Sequence, residues 1–180
     1  MARSASPSMA QDTLCPVALA QKIVGDRWTV LVLRELFLGN HRFEEIQAQI
    51  QATPQMLAGR LKKLESDGMI ERRPYSTRPL RNEYYLTEMG IGFYPVFLAF
   101  RAWGETWCKP RKQEVAIRYT HLPCGKDPGL GPMCQECGKE MRREELSATL
   151  SKSFDAERHE RKEAFKRNQV HFKLQEKSKL

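Results

Sequence analysis

From Cys15 to about Lys112, apolar residues recur at helical spacing, interrupted by one alternating stretch. Cys15-Pro16 opens a helix that runs to about Val24, with Gly25 as its stop. Asp26 is placed to cap a second helix, Trp28 to Leu38, which ends at Gly39. Phe43, Ile46 and Ile50, at i, i+3 and i+7, mark one face of a short third helix. Thr53-Pro54 starts a fourth, with Thr as N-cap and Pro at the first helical position, and Gly68 stops it. The period then changes. Met69–Arg73 reads as a strand, Ser76–Arg81 as a turn and Glu83–Leu86 as a return strand. Thr87 caps a long aromatic helix from about Met89 to Trp107. The expected class is mainly α with a small β-hairpin wing (α+β), a winged helix-turn-helix.

The fourth helix is amphipathic in an informative way. On a helical wheel Leu57, Leu61 and Leu64 share a narrow sector and face a core. Gln55, Gly59, Lys62, Lys63 and Ser66 point away, with Met56 and Arg60 on the flanks. Gln and Arg read base edges through paired hydrogen bonds, whereas Lys more often meets phosphate. Gly59 lets the helix axis approach the bases. The hairpin adds Arg72, Arg73, Arg78 and Arg81 around a short turn, a shape suited to a phosphate backbone or minor groove. His41 and Arg42, at the start of the third helix, are placed for phosphates, and Thr53, at the start of the fourth, opens the DNA-contacting stretch. A basic helix face or an arginine-rich turn is uninformative alone. Their succession within one short stretch points to double-stranded DNA. The formal net charge of +8 over 180 residues agrees without deciding anything.

These stretches resemble the HxlR-type family of bacterial winged-helix regulators. The resemblance rests on Cys15-Pro16-Val17, Gly25-Asp26-Arg27-Trp28, Leu33-Arg34-Glu35-Leu36 and Arg42-Phe43-Glu44-Glu45-Ile46. It continues through Met56-Leu57, Leu61-Lys62-Lys63-Leu64-Glu65, Asp67-Gly68-Met69-Ile70-Glu71-Arg72 and Glu83-Tyr84-Tyr85-Leu86-Thr87. It implies a transcription regulator acting as a homodimer on a pseudo-palindromic operator, its two recognition helices roughly 34 Å apart. It also implies a dimer contact through the first and last helices of the domain. That agrees with the surplus of aromatics at Tyr94, Phe97, Phe100, Trp103 and Trp107, which fit a core equally well.

Cysteine usage adds two further expectations. Cys15 precedes Pro16 at the mouth of a helix, where the dipole and unpaired N–H groups favour a nucleophilic thiolate. Some members of the resembled family use a cysteine at this position to sense oxidants, which makes Cys15 the redox candidate; the alternative is a cysteine that only packs. Further on, His121-x-x-Cys124-Gly125 and Cys134-x-x-Cys137-Gly138 form two knuckles. Their four ligands would close a structural zinc site, and the alternative is a small hairpin of reduced cysteines.

The expected organisation is a flexible segment 1–14, the winged helix 15–112, a candidate zinc-knuckle module 113–141 and a charged helical tail 142–180. The tail, with Arg158, Arg161, Lys162, Lys166 and Arg167 among Glu157, Glu160 and Glu163, reads as a solvated helix, with extra DNA contact as the alternative. Four histidines, no phosphate-binding loop and no nucleophilic triad in sequence order argue against an enzyme. No apolar run approaches a membrane span and no signal peptide is legible, so a cytoplasmic protein is expected. The competing function is a winged helix that docks proteins without specific DNA binding.

Overall fold

The computed structural model describes residues 13–110 and 113–177, the last seven of these as backbone. The expected loose segment 1–14 lies outside them, apart from Thr13 and Leu14.

The first four helices form where capping chemistry places them. Helix α1 (Pro16–Val24) begins with Pro16 in its first turn and ends at Gly25. Helix α2 (Thr29–Phe37) starts under Asp26, whose Oδ1 accepts from the backbone N–H of Trp28 at 2.8 Å and of Thr29 at 3.1 Å. Helix α3 (Phe43–Ile50) follows Arg42, whose N–H donates to Glu45 at 3.3 Å. Helix α4 (Pro54–Ser66) is capped by Thr53, whose Oγ1 accepts from the Met56 N–H. Leu57, Leu61 and Leu64 join Val32, Leu33, Leu36, Phe37, Ile46 and Ile50 in one buried cluster. This packing fixes which face of α4 meets solvent.

The wing is longer than the sequence suggests. Strands β1 (Ile70–Thr77) and β2 (Leu80–Leu86) pair antiparallel from Ile70↔Leu86 to Thr77↔Leu80. Only Arg78 and Pro79, joined by a cis peptide bond, lie between them. The expected turn at Ser76–Arg81 is therefore mostly strand. The register shifts between Pro74 and Ser76, and this bulge absorbs a proline that cannot donate to the ladder. An isolated bridge from Arg42 to Glu83 ties the wing to the start of α3.

The long aromatic helix is also corrected, because it is two helices. Helix α5 (Glu88–Gly92) and helix α6 (Tyr94–Trp107) are separated at Phe93. Pro95 sits in the first turn of α6, where its missing N–H and its ring interrupt the ladder from the preceding turn. Tyr94 and Phe97 are buried, whereas Phe100, Trp103 and Trp107 are 60%, 57% and 74% exposed. The aromatics thus divide between core and surface.

Beyond α6, β3 (Ile117–His121) pairs with β4 (Leu146–Leu150), a 3-10 turn at Arg143–Glu145 preceding the latter. Helix α7 (Lys152–Lys177) runs back over α3. The helical expectation for 142–180 therefore fails at β4, whose Leu146 is buried with Ile117 and Tyr119. The solvated-helix reading fails for the first half of α7. Arg158 reaches the fully buried Glu35 with Nη1 and Nη2 at 2.9 and 2.7 Å, and Arg161 donates to the Gln49 carbonyl at 3.0 Å. Asn40 and Arg34 complete the shell of Glu35. Burial alone would raise the Glu35 pKa, but Arg158, Arg34 and Asn40 together hold it below the usual carboxylate range. Among the described residues no helix is long and apolar enough to cross a membrane.

Candidate nucleic-acid interface and metal centre

The outer face of α4 carries Gln55, Met56, Gly59, Lys62 and Lys63, all exposed. Gln55 and Lys62 have no side-chain hydrogen bond or ion pair among the described residues, and Lys63 reaches Asp67 one turn on at 2.7 Å. Arg60, expected to flank the reading face, is turned inward. Its Nη1 lies 2.9 Å from Asp26 Oδ2 and its side chain is 21% exposed. Asp26 already caps α2, so Arg60 straps α4 to the start of α2. Although burial works against its charge, Asp26 is held below the usual range by Thr29, the Trp28 and Thr29 N–H groups and Arg60.

The wing basics fall into two classes. Arg72 pairs with Glu65 at 2.7 Å, Arg73 with Glu71 at 2.8 Å and Arg42 with Glu83 at 3.0 Å. Arg42 also lies over Tyr75 at 4.6 Å, and Arg73 over Tyr85 at 4.5 Å. His41 donates Nδ1–H to the Tyr84 carbonyl at 2.9 Å and stacks on Tyr85, which makes it a strut between wing and α3. By contrast, Arg78 and Arg81 are exposed at the wing tip and have no acidic partner among the described residues. The tip thus keeps its full positive charge, whereas the base of the wing is neutralised. Thr53 remains exposed at the start of α4 as its cap.

Sequence reasoning missed the acids. Glu65, Glu71 and Glu83 lie beside the basic residues in the chain, but no periodicity says which cation each will take. Of the ion pairs on α4 and the wing described above, only Lys63–Asp67 follows from helical spacing.

The second site is the cysteine module. His121, Cys124, Cys134 and Cys137 bring one donor atom each to within 4.8 Å of one another, a set able to hold a metal ion. His121 Nδ1 lies 3.4 Å from the sulfurs of both Cys124 and Cys137, and the Cys124 and Cys134 sulfurs are 3.8 Å apart. Gly125 (φ 68°) and Gly138 (φ 69°) take the left-handed turn that closes each knuckle. Burial opposes a thiolate at Cys134, yet the N–H groups of Cys137 and Glu136 bring its pKa down to about 7. The other His121 nitrogen, Nε2, is buried without a hydrogen-bond partner, 3.8 Å from Glu145 Oε2. Cys15 is exposed at the N-cap of α1, and Cys108 is exposed after α6.

Residues 23–112 match the model of a family described as HxlR-like helix-turn-helix. The uncharacterised HTH-type transcriptional regulator Rv3095 of Mycobacterium tuberculosis is 37% identical over 127 residues, which cover 69% of this chain and 78% of that protein. The HTH-type transcriptional regulator YodB of Bacillus subtilis is 38% identical over 101 residues, 55% of this chain and 90% of its own length. The crystal structure of PA1607, a candidate transcription factor, superposes with a TM-score of 0.60 at 27% identity, covering 78% of this chain and 96% of that one.

Proposed function

The chain belongs to the HxlR-like helix-turn-helix family, and on that premise we propose that it is a homodimeric regulator of transcription. It binds a pseudo-palindromic operator, with α4 in the major groove and the β1–β2 wing on the backbone or minor groove. One observation carries this reading. An α4 face of Gln55, Met56, Gly59, Lys62 and Lys63 stands beside a wing tip whose Arg78 and Arg81 have no acidic partner among the described residues. In this reading Gln55 and Met56 meet base edges, and Lys62, Lys63, Arg78 and Arg81 meet phosphates. His41, Arg42, Thr53, Arg60, Arg72 and Arg73 hold these groups in place, each with a partner inside the protein. The exposed apolar residues of α1 (Val17, Leu19) and α6 (Phe100, Trp103, Trp107) support a dimer face.

Selection from random duplexes is the test. It is expected to enrich an inverted repeat with half-sites about one turn, roughly 34 Å, apart. Replacing Arg78 and Arg81 together by Ala should flatten the log–log salt dependence by about two phosphate contacts per protomer, about four per dimer, without loss of stability. Arg60→Ala should instead lower stability. If no sequence is enriched, and a protein partner is bound with little salt dependence, the docking-module reading replaces this one.

The cysteine module is proposed to hold structural zinc. A tetrahedral zinc with sulfur at about 2.3 Å and nitrogen at about 2.0 Å implies edges of about 3.8 Å between sulfurs and about 3.5 Å between nitrogen and sulfur. The distances above agree with both. If Nδ1 held the metal, Nε2 would carry the proton and face Glu145, and a carboxylate commonly accepts from the free N–H of a ligating histidine. Four protein ligands leave no open position for catalysis. Elemental analysis should give one zinc per chain. Cys15 is proposed as an oxidant-responsive thiol, supported by its exposure at the start of the α1 dimer element. Unchanged mass and DNA binding after mild peroxide would end that assignment.

A further inference from the structure

A cavity of about 300 Å³ lies between α2, α6, the start of β3 and the start of α7. Its walls are apolar: Val30, Leu31, Phe97, Phe100, Ile117 and Phe154. Its charged lining is one-sided. Lys109 pairs with Glu105 and Arg34 with Glu35 at 2.7 Å, which leaves Arg101 as the lining cation with no carboxylate partner among the described residues. Glu105 is already engaged, accepting from Lys109 Nζ at 2.8 Å and from the Ala116 N–H at 3.0 Å. Arg101 gives Nη1 to the Leu130 carbonyl at 3.2 Å and Nη2 to the Ile117 carbonyl, while its Nε is buried with no acceptor. Burial pushes the Arg101 guanidinium below its ordinary pKa, and the opposing pull of Tyr119, Glu105, Tyr94 and Asp127 does not make up for the lost hydration.

Gly104 adds an independent observation. It lies inside α6, where glycine is the least favourable residue after proline. Its φ is not positive, and a Cβ built there meets nothing within 4 Å. Neither conformation nor close packing within the chain requires a glycine here. What the missing side chain does is leave open the cavity that Gly104 lines.

We propose that this cavity is a binding site for a small aromatic carboxylate, its ring among the apolar walls and its carboxylate directed to Arg101. The volume lies at the lower end of the range for small-molecule sites, and apolar walls with one convergent charged group are their usual composition. Because the walls come from α2, α6, β3 and α7, such a ligand would bridge the DNA-binding unit and the cysteine module.

The test uses the full zinc-loaded chain without DNA, so it is independent of the operator assignment. 1-Naphthoate is titrated by calorimetry, with methyl NMR of Val30, Leu31 and Ile117 to locate it. Binding of one molecule per chain is expected, with 1-naphthalenemethanol at least about tenfold weaker. Gly104→Leu should abolish binding while leaving the melting temperature equal or higher, and Gly104→Ala should weaken it partially. The proposal is overturned by equal binding of acid and alcohol, or by undiminished binding to Gly104→Leu. It is also overturned if shifts are confined to residues outside this cavity, such as Ile23 and Val24 of α1. If naphthoate does not bind at millimolar concentration and Gly104→Leu instead dissociates the dimer, the cavity mouth belongs to a second copy of the chain, and the ligand assignment is wrong.

Discussion

The winged helix and the cysteine module are held together by different means. The former buries a continuous set from Val32 and Leu33 through Leu57, Leu61 and Leu64 to Tyr94, Phe97 and Leu98. The latter contributes little apolar bulk, chiefly Ile117, Tyr119, Met141 and Leu146, and gathers its loops around His121, Cys124, Cys134 and Cys137. Short segments of that kind cannot bury enough surface to order themselves unaided, so a metal cross-link has most to contribute there. The first region should tolerate changes of solution chemistry that dismantle the second.

Metal removal is the strongest way to break the comparison. Structural zinc typically contributes roughly 10–16 kcal/mol of apparent binding energy at neutral pH, all of it coupled to folding. Cys134→Ser, or a strong chelator, should therefore erase hydrogen-exchange protection at the His121, Gly125 and Gly138 amides. Protection in α2 and α4 should survive. Equal loss in both regions would show that they fold as one unit.

Next in size is the joint between the regions. Arg158→Met leaves the buried Glu35 with Arg34 and Asn40 alone and should cost about 2–3 kcal/mol in denaturant unfolding, near the lower end for breaking a buried pair. A loss below about 0.5 kcal/mol would mean that α7 is only loosely applied to α3. Acidification should separate the joint from the metal site. The folded pKa of Glu35 is depressed, so its contribution is present above the unfolded carboxylate pKa and fades as pH falls through the lower, folded value. Metal ligands must be deprotonated to bind, so the module should lose its ion first, at milder pH. Zinc release and α7 detachment at the same pH would contradict that order. The smallest effect is expected at Thr53→Ala, which removes the α4 cap at a cost of about 1 kcal/mol.

Much of the winged helix was legible because its signals are local. Thr53, Asp26 and Thr87 announce helix starts through short-range capping, and the leucine spacing of α4 fixes its buried face. The gathering of His121, Cys124, Cys134 and Cys137 was legible for the same reason, since the knuckle spacing sits within each short segment. Departures occur where a distant partner decides. The inward turn of Arg60 depends on Asp26, brought near by the packing of α4 against α2. The alternation of Ile117-Arg118-Tyr119-Thr120 and of Leu146-Ser147-Ala148-Thr149-Leu150 is local, but the pairing of β4 with β3 spans a loop-rich segment and no local signal announces it. The break at Phe93 was readable in Pro95, but the run of apolar residues around it outweighed that single residue.

The pairing of Glu35 with Arg158 joins positions 123 residues apart in sequence. It bears on modularity. A fragment trimmed to residues 23–112 would keep every residue of the family match and still lack the guanidinium its most buried acid uses. Such an excised domain should fold less stably than its alignment promises, and it would gain from a neutral residue at position 35. In this chain the winged helix is not a portable cassette, because one of its internal charges is balanced by the far end of the polypeptide.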